Sequence, residues 1–137
     1  MESDKARRLT VVIDADVDRL VAMRQVVDPV APGTAVFLLD ASEGRVALSW
    51  LTGVLTRPGA RQAVVLVRAQ PESWATAALL AAIRCQRDYD EVDVVVAAEG
   101  RRDMLPVLIT DFPGLRVVPP GSDPRDVVAG VIGSGSG

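Results

Sequence analysis

A chain of 137 residues can bury one ordinary core, and its 49% apolar and 24% charged residues exclude disorder, which needs low hydrophobicity and high net charge. Its 15 basic against 18 acidic residues leave a net charge of −3, which argues against the basic excess of a general nucleic-acid binder. With no histidine and one cysteine, Cys85, the chain lacks the parts for Ser-His-Asp triads, histidine zinc sites and internal disulfides. Any metal would be held by carboxylates, as magnesium and manganese are.

The mean hydropathy of +0.25 does not come from a membrane span. The longest apolar-rich stretch, Trp74 to Ile83, is half alanine and far short of the roughly 20 residues a bilayer requires. The polar start, Met1 to Arg8, leads into a strand without a signal-peptide apolar region, so the expectation is a cytoplasmic protein with no membrane partner.

Taken in chain order, Leu9 to Ile13 reads as a first strand, and Asp16 can cap a helix over Val17 to Val27. Ala35 to Leu39 follows as a strand, then a helix from Glu43 to Thr56 capped by Ser42. A third strand, Ala63 to Val67, precedes a long helix opened by Pro71 and Glu72 and running to about Arg87. Val92 to Ala98 is the fourth strand, and Asp103 can cap a short helix from Met104. The fifth strand, Leu115 to Val118, is the most polar and is followed by Pro119-Pro120, which suits a sheet edge. Asp123 to Asp126 is a capping-box variant before a helix over Val127 to Ile132.

Continuous Val, Ile and Leu runs mark strands buried on both faces, and their spacing of about 22 to 30 residues suits right-handed βαβ units. The expected fold is therefore a three-layer α/β/α sandwich on a five-stranded parallel sheet, one domain over 1–132, with 133–137 as a flexible Gly/Ser tail.

Such sheets bind ligands beyond the carboxyl ends of their strands. Four of the five strand exits are acidic: Asp14 with Asp16, Asp40, Glu99 to Asp103, and Asp123; the other carries Arg68. Converging carboxylates can hold divalent ions that activate water, but Asp16, Asp103 and Asp123 also stand where helix caps belong. Asp14 ends the most central-looking strand, and Asp16 already supplies the cap beside it. No G-x-G-x-x-G or G-x-x-x-x-G-K-[ST] loop is present, so dinucleotide and P-loop sites are excluded. Arg101 and Arg102, like Lys5, Arg7 and Arg8, read first as solvated arginines and lysines.

Two family resemblances follow from these residues. Thr10-Val-Val-Ile-Asp14 matches the Asp-ended first strand of the NYN branch of the PIN-like nucleases. Glu99-Gly100-Arg101-Arg102-Asp103-Met104-Leu105-Pro106 is similar to that family's S-G-D-x-D-F-x-P-L motif at Gly100, Asp103 and Pro106. The departures are Glu99 for serine, Arg101 for the first aspartate and Met104 for the aromatic residue. The resemblance implies metal-dependent hydrolysis of RNA, weakened or lost. Asp14, Asp103 and Glu99 would hold Mg²⁺ or Mn²⁺, and Arg101 and Arg102 would contact phosphate. It implies strand order 3-2-1-4-5, with Asp14 near Glu99 and Asp103.

The five βα units and Ile13-Asp14-Ala15-Asp16 also resemble receiver domains of two-component signalling. The third strand ends in Val67-Arg68-Ala69 where receivers carry their phosphoaccepting aspartate, and no lysine ends the fifth strand. This resemblance implies a pseudo-receiver: a non-catalytic regulatory module that contacts another protein or a second copy of itself. Its order would be 2-1-3-4-5, with Arg68 beside Asp14. The nuclease-like order is the one expected first.

Overall fold

The computed structural model describes residues 7–30, 34–40, 49–53, 62–68, 74–86, 89–97, 114–118 and 123–135. In chain order these form β1 (Arg8–Asp14), α1 (Val17–Val30), β2 (Ala35–Asp40), helical residues 49–53 (α2), β3 (Gln62–Arg68), α3 (Trp74–Arg84), β4 (Glu91–Ala97), β5 (Arg116–Val117) and α4 (Pro124–Gly135). All strand pairs are parallel, and helices cover both faces, so the three-layer α/β/α sandwich stands as the sequence indicates.

Period-two alternation divides the strands between two cores. Leu9, Val11 and Ile13 of β1 join Ala63, Val65 and Val67 of β3 and Val94 and Val96 of β4 beneath Leu51 of α2 and Leu79, Leu80 and Ile83 of α3. Val12, Val64, Leu66 and Val95 point the other way, against Leu20, Met23 and Val27 of α1 and Val128 and Ile132 of α4. α3 meets the sheet through a stripe at helical spacing, Thr76, Leu79, Leu80 and Ile83. Burying a Val or Leu completely contributes about 1.5–3 kcal/mol, which makes these two interfaces the main source of stability.

The sheet order is β2-β3-β1-β4-β5, which differs from both expected orders. β1 lies between β3 and β4, so it has the β4 neighbour of one expectation and the β3 neighbour of the other. Burial supplies the reason. Ala63 to Val67 of β3 are fully buried, whereas Leu38 and Asp40 of β2 are exposed. Of these two strands, the one richer in β-branched residues thus takes the interior and β2 takes the edge.

The chain crosses from β1 to β2 in one direction and returns through β3, β4 and β5 in the other. Right-handed crossovers then demand α1 on one face and α2 and α3 on the opposite face, where they are found. Consequently β1 and β3, side by side, send their following helices to opposite faces. In open parallel sheets such a divergence marks where ligands bind, beyond the carboxyl end of the strand, which here is β1.

Two local differences concern element ends. α1 runs past Val27 and includes Pro29 in its last turn, where the missing N–H costs one terminal rung of the helix ladder. α4 continues to Gly135, three residues beyond the boundary drawn at 132. Gly114, at φ 94°, leads the chain into β5 through a left-handed conformation open to glycine.

Candidate functional site

Asp14 ends the central strand, level with Ala97 of β4, and its side chain is fully buried. Alternation sets it on the side of Val12, facing α1, and α1 supplies its partner. The Arg19 guanidinium donates from Nη2 to Asp14 Oδ1 at 2.9 Å. Its Nε stands 2.8 Å from Asp14 Oδ2 but out of line for a hydrogen bond, so charge alone holds that contact. Asp14 Oδ1 also accepts the Asp16 N–H at 2.9 Å, which turns the chain from strand into helix.

Asp16 performs the capping role read from the sequence. Its Oδ1 accepts the N–H groups of Asp18 and Arg19 at 3.0 and 3.3 Å, while its Oδ2 lies 3.7 Å from Arg19 Nε. Asp123 does the same for α4, accepting the Arg125 N–H at 3.0 Å. The Arg125 guanidinium grips both Asp123 oxygens, with its shortest contact at 2.7 Å. That grip, with the attraction of Arg19 added to it, holds the Asp123 carboxyl below the usual carboxylate range. Arg19 and Arg125 thus neutralise the acidic ends of α1 and α4, which pack side by side.

Of the candidate residues, only Asp14 lies in the described part of the chain. Glu99, Arg101, Arg102 and Asp103 lie outside the described residues, as do Ser42, Pro71, Glu72 and the short helix expected from Met104. Arg68 is exposed and aligns with Asp40 across the β2–β3 pair, so the cation neutralising Asp14 is Arg19 and not Arg68. The signal was present as Asp14-x-Asp16-x-x-Arg19: an acid at the strand end, a cap, and a base in the first helical turn.

Among the described residues, no three His, Cys, Asp or Glu side chains stand together in a way that could hold a metal ion. With a guanidinium across both oxygens of Asp14, the described donors do not fit Mg²⁺ or Mn²⁺.

At the opposite, amino edge of the sheet is a cavity of about 440 Å³ lined by Arg8, Arg84, Tyr89 and the start of β4. Arg8 pairs with Glu91 at 2.8 Å and Asp93 at 3.6 Å. Arg7 lies over the Tyr89 ring, 4.5 Å from its centre, and donates to the Tyr89 hydroxyl. These two arginines fasten β1 to β4 and are not a solvated basic patch.

Together the fold and the β1 exit define a three-layer parallel α/β domain whose central strand ends in an internally neutralised carboxylate. The chain matches no family model, no curated protein and no solved structure. No helix among the described residues is long and apolar enough to cross a membrane.

Proposed function

We propose that this chain is a non-catalytic α/β module that acts through protein contacts, in the manner of a pseudo-receiver. The Asp14–Arg19 pair carries the reading. A catalytic carboxylate at the end of a central strand must present an oxygen to an ion, a water or a substrate. Here both oxygens are engaged by the next helix and its first turn, and the side chain is shut away from solvent. The residue serves to join β1 to α1.

One observation favours a second reading, a divergent PIN/NYN-like hydrolase of RNA. β1 lies beside β4 with Asp14 level with Ala97, two residues before Glu99 in sequence. For that reading, Asp14 has to leave Arg19 and join Glu99 and Asp103 around Mg²⁺ or Mn²⁺.

Calorimetric titration with Mn²⁺ separates the two, on wild type, Asp14→Asn and Arg19→Ala. The interaction reading expects no binding heat in wild type that Asp14→Asn removes. An Asp14-dependent heat, together with Mn²⁺-dependent cleavage of single-stranded RNA lost in Asp14→Asn, would overturn it.

A further inference from the structure

We draw no further inference here: the strongest candidate, the cavity of about 440 Å³ at the amino edge of the sheet, carries nothing, because Arg8 in its wall is already paired with Glu91 and Asp93 and no described residue of its lining points to a ligand.

Discussion

Arg19→Ala tests the central claim about the β1 exit most directly. Removing one partner of a fully buried ion pair costs about 3–5 kcal/mol, because the other charge is left without compensation. Two features lower that figure here. Arg19 keeps 32% of its side chain in solvent, so water already reaches one side of the pair. Asp14 also retains the hydrogen bond from the Asp16 N–H. A loss of about 2–3 kcal/mol is therefore expected, comparable to one charge-assisted hydrogen bond with part of the desolvation cost. For a domain of this size that lowers Tm by about 6–15 °C. Urea denaturation with linear extrapolation measures it, and a double-mutant cycle with Asp14→Ala isolates the pair, with a coupling of about 1–2 kcal/mol expected. If Arg19→Ala costs less than about 0.5 kcal/mol, the level of an ordinary surface change, Asp14 is not anchored as argued.

Arg68→Ala is expected to change stability by less than about 0.5 kcal/mol in the same assay, since its side chain is exposed and Asp14 is held elsewhere. Leu66→Ala, which empties a fully buried site, should cost about 3–5 kcal/mol, while Val21→Ala on the exposed side of α1 should cost under about 0.5 kcal/mol. The Asp123 carboxyl, followed by carbon-detected NMR, should titrate below the ordinary value in wild type and move up toward it in Arg125→Ala. A carboxyl depressed by folding stabilises at pH above its unfolded value and loses that contribution as pH falls through its folded value. Asp123→Asn, which keeps the cap, should accordingly flatten the acid limb of the stability curve, and an unchanged limb would count against the Arg125 contact.

The strands were legible because full burial leaves an unmistakable trace: Val-Val-Ile in β1, Val-Val-Leu-Val in β3 and Val-Val-Val in β4 require apolar contact on both faces. The caps at Asp16 and Asp123 were legible because each needs only its own neighbours in sequence. Strand order was not, since every βαβ unit carries the same local pattern whether its second strand lands beside the first or one place beyond it. The clue was a difference of degree, the Phe-Leu-Leu of β2 against the β-branched run of β3, and it became decisive only as burial. Arg19 escaped notice for a related reason. A base in the first turn of a helix reads as a surface residue, and it becomes the partner of Asp14 only once that acid is known to be buried.

The position of β1 explains why its exit is neutralised from within. Asp14 ends a strand with neighbours on both sides and is fully buried there, so its carboxylate needs a compensating charge close at hand. Only two residues separate the end of β1 from the start of α1, which brings the first turn of the helix to Asp14. Arg19, in that turn, reaches back across the junction to both oxygens, and Asp16 lies near enough to share its charge. For Asp14 to take a cation or substrate, Arg19 has to be withdrawn and the pair's attraction replaced by the incoming ligand. A ligand that cannot bind Asp14 by more than the pair contributes will leave the pair in place. The pair's strength, measured by the Arg19 and Asp14 cycle, thus sets the threshold that any chemistry at this strand end has to exceed.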